Sequence, residues 1–325
     1  MKSVKFIIPI SNFVVEDAFK VGDVYYSPPL SSILDDGYTH NDSITESEFE
    51  MVKNCLTILD DHSNHKWINS TLAITDFEMQ HYNNIEESSL YVNRICEKID
   101  RSMDYLRLKE CQIGNFNTLP GLAGMMEDGF KNVYKLDLES ESYEMIPGEV
   151  TLLLRQGIGL MPSSEPKSLD IQSIDYKCIF STRKDEIFLN CRAALTRINE
   201  AMYMHNLNTA YIYMMTTLEM LANKDNFITF QSVKSKIIPF IVTSKKEYHE
   251  LSNYMYTLSK HKREQIVHNG KNIFDLYESS EQVIKELFRI TGLIVRYVQA
   301  VVSTGIETFE ELETKRQEIL KELKV

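Results

Sequence analysis

The sequence predicts an α+β N-terminal domain followed by an all-α helical bundle. Three observations carry this reading. The chain has 325 residues and a mass of 37.8 kDa, which suits two domains at roughly 100–200 residues each. Alternating apolar patterns occur ahead of residue 180, whereas from Asp185 onward every apolar repeat has helical spacing. Hydrophobic residues make up 43% and charged residues 25%, ordinary globular usage that excludes a disordered, collagen-like or fibrous chain.

Taken in order, Val4–Ile10 reads as a strand ended by Pro9, and Asp23–Ser31 carries a Pro-Pro that breaks regular structure. Ser47–Leu59 has Phe49, Val52, Cys55, Leu56 and Leu59 at helical spacing, and Thr71–Met79 alternates as a strand. Residues 85–110 form the clearest helix of this half. There Val92, Ile95, Ile99, Met103 and Leu106 make an apolar stripe opposite Arg94, Glu97, Lys98, Arg101 and Asp104. Gly114–Gly129 reads as loop, Asn132–Leu138 and Val150–Leu154 as strands. The Gly- and Pro-punctuated stretch from Gly157 leads to a boundary near 165–185. The domains are therefore 1–180, α+β, and 186–325, helical. In the second, Ile187–His205, Asn208–Ala222, Phe230–Val242, Glu247–His268 and Ser280–Val302 support helices, Asn269-Gly270 is a helix stop, and Glu307–Leu323 is a last, charged helix.

Five scattered cysteines without a CxxC argue against a disulfide framework or a zinc site, and read as small buried hydrophobes. The longest nearly uncharged stretch, Ala201–Leu218, holds His, Asn and Thr and is a poor membrane span. The apolar run before Ser11 is too short for a signal-peptide core. A cytoplasmic protein with no membrane partner is expected. Net charge is −12, but it divides as −14 over residues 1–190 and +2 over 191–325. The second half is thus open to a polyanion.

The most basic stretch is Tyr254–Asn272, with Lys260, His261, Lys262, Arg263, His268 and Lys271 around one acid, Glu264. A guanidinium fork matches phosphate oxygens, and an imidazole exchanges protons near neutral pH. That combination suits a phosphodiester. The same residues also suit a solvated helix face with a capping or buried histidine, and the spacing alone does not choose between the two.

Arg263-Glu-Gln-Ile-Val-His268-Asn-Gly270, preceded by Met215-Thr-Thr-Leu218-Glu219-Met220-Leu221 on an earlier helix, resembles the HEPN superfamily, and within it the Apea-like HEPN domains. In those, an Arg-x4–6-His motif ends a core helix and an apolar-Leu-Glu-x-Leu signature marks a preceding one. The resemblance covers roughly residues 190–303 and none of the first domain. The sequence departs from the family pattern at Glu264, directly after the arginine, at Ser259 and Lys260, where an aromatic is usual, and at Asn269, which separates His268 from Gly270.

Five residues of α-helix turn through about 500°, which puts Arg263 and His268 about 140° apart on one straight helix. A site built from one copy needs the helix to unwind near Asn269-Gly270 or the arginine to wrap around it, and two copies related by a two-fold axis offer another solution. The resemblance implies such a homodimer, with a composite site, and metal-independent cleavage of single-stranded RNA to 2′,3′-cyclic phosphate and 5′-hydroxyl ends without a cofactor. On that reading His268 is general base or acid and Arg263 stabilises the charged phosphorane, while DNA lacks the attacking hydroxyl. Lys260, Lys262 and Lys271 would track the RNA backbone, and Asn269 is either a substrate contact or the cap before Gly270. Tyr254 and Tyr256 are base-stacking rings or helix-packing residues, and Glu219 is a partner for Arg263 or an ordinary solvated residue. Apea-like proteins resemble components of bacterial anti-phage defence. The first domain would then be a sensor or regulator answering a phage-derived or small-molecule trigger, its acidity suiting a cover over the basic cleft. The competing reading is a non-catalytic dimerisation or RNA-binding module, with Glu264 marking lost activity.

Other signals carry less. Asp60-Asp61-His62-x-x-His65 has metal-ligand residue types but no second cluster to complete a site, so no metal is expected. Gly157-x-Gly159 lacks the third glycine and helix of a dinucleotide loop. The methionines at 202, 204, 214, 215 and 220 read as core filling.

Overall fold

The computed structural model describes residues 3–29, 50, 54, 69–125, 130–137, 142–150, 160, 169–224 and 228–325. The chain divides into two compact units, residues 1–111 with 115–169, and residues 112–114 with 170–325. The first is built on an antiparallel sheet and the second is mostly helical, the order of fold classes read from the sequence. The division falls at 169/170, so a short helix at Ile174–Phe180 goes with the helical unit rather than ahead of it. All of the helix read at Ser47–Leu59 except Glu50 and Asn54, the Asp60–His65 cluster, Gly157-x-Gly159 and most of Val150–Leu154 lie outside the described residues.

The sheet runs in the order β2-β3-β4-β1-β5-β6, with β1 Ser3–Ile10, β2 Phe19–Val21, β3 Val24–Ser27, β4 Thr71–Glu78, β5 Phe130–Asp137 and β6 Ser142–Val150. β1 does not stop at Pro9: it continues to Ile10, with Pro9 opposite Leu72 of β4. Pairing with β5 covers only Lys5–Ile7, so the proline sits where the strand has one ladder neighbour, and its carbonyl accepts from the Gly124 N–H (3.0 Å). β2 and β3 form a tight hairpin around Gly22-Asp23, where Gly22 takes φ +62°. The Pro28-Pro29 break falls just after β3. β6 is not among the strands expected from the sequence, where the nearest expected strand is Val150–Leu154. It holds Pro147 as an edge strand, where a missing donor is tolerated.

α1, Ile85–Glu110, covers the sheet with the stripe expected of it: Val92, Ile95, Ile99, Met103 and Leu106 are all buried. Asn84 caps it by accepting from the Glu87 N–H (2.8 Å). Within α1, buried Arg107 pairs with Asp100 (2.9 Å) and Asp104 (3.1 Å), and Arg101 reaches Asp104 from the other side (3.1 Å). Burial pushes the Asp104 carboxyl up to about 6, outweighing the opposing pull of Arg107 and Arg101.

The helical unit contains α2 Ile174–Phe180, α3 Glu186–Met202, α4 Leu207–Ala222, α5 Phe230–Ile237 with a 3-10 turn Ile238–Ile241, α6 Lys245–Thr257, α7 Glu264–Val267, a 3-10 turn Ile273–Asp275, α8 Ser280–Thr304 and α9 Phe309–Leu323. α8 is long and apolar enough to cross a membrane by length and composition. Yet its stripe of Val283, Leu287, Ile290, Leu293, Ile294, Tyr297, Val298 and Val301 is buried in the bundle. Met202, Met214 and Met215 are fully or nearly fully buried core residues. Cys96, Cys111, Cys178 and Cys191 are buried free thiols, as expected of small hydrophobes. Burial pushes Cys178 up to about 12 and leaves it protonated.

Candidate nucleic-acid site at Arg263 and His268

The helix read as one element over Glu247–His268 is three pieces. α6 ends at Thr257, a π-helical turn spans Leu258–Arg263, and α7 follows. In the wide turn the Glu264 N–H reaches back five residues to the Ser259 carbonyl. Packing explains it. Leu258 and Ile266 are both buried. Eight residues of regular α-helix would leave them about 80° out of line after two full turns. The extra residue absorbs most of that offset, so both side chains face the core. Buried Tyr211 of α4 donates its hydroxyl to the Leu258 carbonyl at the start of the turn (3.1 Å).

Arg263 closes the wide turn. Its Nη2 lies 2.9 Å from Glu219 Oε1 on α4, with the two side chains 17% and 16% exposed. Of the two alternatives for Glu219, the ion pair is the one formed. Burial raises the Glu219 carboxyl above its ordinary range, against the lowering pull of Arg263. The arginine's Nε is buried with no hydrogen-bond partner among the described residues. His268 follows at the end of α7, exposed, its N–H bonded to the Glu264 carbonyl (3.0 Å). Arg263 is turned to the bundle and His268 to solvent. Regular helical spacing separates them onto different faces, since the π turn ends at Arg263 and the residues from there to His268 are α-helical. Gly270 takes the left-handed conformation at φ +64°, and the Lys271 N–H bonds the Gln265 carbonyl (3.1 Å). Asn269 is exposed, and its amide nitrogen donates to Gln265 Oε1 (3.1 Å).

The other predicted residues divide. Lys260, exposed, pairs with the partly exposed Glu264 across one turn (3.3 Å), so the acid beside the arginine is matched by a lysine. Lys262 donates to the Leu276 carbonyl and sits 4.0 Å over the Tyr277 ring, a packing position. Lys271 is exposed. Tyr256 is exposed, edge-on to His261 (6.1 Å) with Lys234 5.7 Å over its ring, whereas Tyr254 donates to Glu286 and lies 3.4 Å beneath Arg289. Tyr254 is thereby a helix-packing residue.

Three participants escape the sequence. Glu286 on α8 accepts from Tyr254 and from Tyr277 (3.2 Å), and with burial it raises the pKa of both tyrosines. Asn208 Oδ1 accepts the Ile273 N–H (2.6 Å), fixing the chain after Gly270 to the start of α4. Tyr211 lies in an apolar stripe and reads as core until its hydroxyl is followed to Leu258. No spacing rule links residues 32 to 65 positions apart. α4 thus holds the segment at three points, through Asn208, Tyr211 and Glu219.

Among the described residues no group of three or more His, Cys, Asp or Glu is placed to hold a metal ion. Comparison with protein-family models, with curated proteins and with solved structures finds no match to this chain.

Proposed function

We propose that this chain is a metal-independent endoribonuclease of HEPN type, acting on single-stranded RNA as a homodimer. The observation that carries the reading is the pairing of roles at one helix end. A guanidinium is fixed on Glu219 with Nε left without a partner among the described residues, and an exposed imidazole follows it at the Gly270 stop. Arg263 supplies fixed positive charge for a phosphorane and His268 moves the proton of the 2′-hydroxyl or of the leaving oxygen. Exposed Val267 and Phe274 flank His268 in sequence, as apolar positions at a two-fold contact would. A second copy brings a second arginine and histidine to one cleft, and the angle between the two side chains of a single chain ceases to matter. On this reading the sheet-based unit is the regulatory part and the activity belongs to defence or growth arrest.

A specific observation favours a second reading. Arg263 is engaged by a carboxylate and Glu264 adds another acid beside it. Both suit a module that dimerises or binds RNA without cutting it. The deciding experiment offers a labelled single-stranded RNA in EDTA to the wild type, His268→Ala and Arg263→Ala. Cleavage to 2′,3′-cyclic phosphate ends that both substitutions abolish, with a DNA analogue inert, supports the nuclease. Binding without cleavage supports the module. Cleavage that survives both substitutions removes the assignment of these residues.

A further inference from the structure

A second feature of the helical unit is independent of Arg263 and His268. A cavity of about 350 Å³ opens between the end of α4, α5 with its 3-10 turn, α8 and α9, within the usual ~300–1,000 Å³ of small-molecule sites. One wall is aromatic. Phe240 meets the buried Tyr297 ring edge-on (5.6 Å), and Phe309 and Leu312 face the cavity from α9. Tyr297 donates its hydroxyl to the Leu221 carbonyl (3.3 Å).

Three cations line the same cavity, with two carboxylates, Glu310 and Glu313. Lys224 is engaged by Glu186, and Arg316 by Glu313 and the Ser235 carbonyl. Lys236 differs. The residue is partly buried, its ammonium donates to the neutral Asn223 Oδ1 (3.2 Å), and among the described residues no carboxylate stands within ion-pair distance of it. Glu313, committed to Arg316, acts on it only at longer range. A partly desolvated charge facing a neutral amide is incompletely compensated, and an anion satisfies it. Leu312 is the one buried side chain of α9. The helix is tied at its start by the Phe309 N–H to Glu186 Oε2 bond (3.2 Å) and the Ile187 N–H to Glu307 carbonyl bond (3.2 Å), midway by Arg316 to the Ser235 carbonyl (3.4 Å), and at its end by Lys245 to the Lys324 carbonyl (2.8 Å). These polar ties, rather than a broad apolar contact, fix α9 along one side of the cavity.

We infer that this cavity is a binding site for a small aromatic monoanion, with the flat ring among Phe240, Phe309 and Leu312 and the acid group on Lys236. The test is calorimetric titration of the full chain with indole-3-acetate and its neutral counterpart indole-3-acetamide. The acid should bind about tenfold tighter or more, the lower end for one charge-assisted hydrogen bond. Lys236→Met should bring the acid to the affinity of the amide, and Lys246→Met, on an exposed surface pair, should leave the preference intact. Hydrogen exchange in α9 should slow when the acid binds to the wild type. This readout holds whether or not the lysine variant folds. Equal affinity for acid and amide, no binding of either at roughly millimolar concentration, or an unchanged α9 with acid bound overturns the inference. None of these outcomes depends on RNA cleavage.

Discussion

Arg263 and Glu219 are less than one-fifth exposed and 2.9 Å apart, and the two halves of this pair should not be equivalent. At charge centres ~4 Å apart and an effective dielectric of ~20, their attraction is about 4 kcal/mol. Desolvation offsets much of this, as the raised Glu219 pKa shows. A coupling of roughly 1–2 kcal/mol remains, above the ~0.2–1 kcal/mol of exposed pairs. Glu219→Gln leaves a guanidinium that cannot lose its proton and whose Nε already lacks a partner among the described residues. Arg263→Gln leaves a carboxyl that can take up a proton. The first change should therefore cost about 2 kcal/mol and the second about 1 kcal/mol. Urea unfolding followed by far-ultraviolet circular dichroism reports mainly the helical unit and closes the double-mutant cycle. If the arginine variant proves the less stable, or the coupling falls below about 0.5 kcal/mol, the account of this pair is wrong.

Gly270→Ala adds a Cβ that meets nothing within 4 Å at φ +64°, so its cost is backbone strain of about 1 kcal/mol. The helical melting transition should fall by roughly 2–4 °C, and an unchanged Tm refutes the need for glycine there. For Asp104, raised by burial to about 6, the folded state holds a proton more tightly than the unfolded chain. Stability of the sheet-based unit should therefore decline as pH rises from about 4 to about 6, by up to on the order of 3 kcal/mol. Asp104→Asn should flatten that slope in unfolding followed by hydrogen exchange of the α1 amides, and a wild-type slope of opposite sign refutes the assignment.

Legibility in the sequence follows periodicity. α1 is readable because its stripe repeats over most of its 26 residues, and the helical unit because no alternation competes with the helical repeat. Pro9 misleads, since whether a proline ends a strand depends on which ladder neighbours it has, a property of the sheet and not of the segment. At the site, Arg263, His268 and the choices open to Glu219 are visible from residue types. The π turn is not. It is a one-residue shift in backbone pairing, set by where Leu258 and Ile266 must pack and by a tyrosine 47 positions earlier.

That turn also relaxes an ordinary rule of helix mutagenesis. Losing one residue from a regular helix swings everything downstream through about 100° and ruins its packing. Between Leu258 and Arg263 the backbone carries slack of about one residue. A chain shortened there by a single position can close as plain helix with Met255 above and Ile266 below still facing inward. This short span is where the bundle can accept a length change without losing the direction of the arginine.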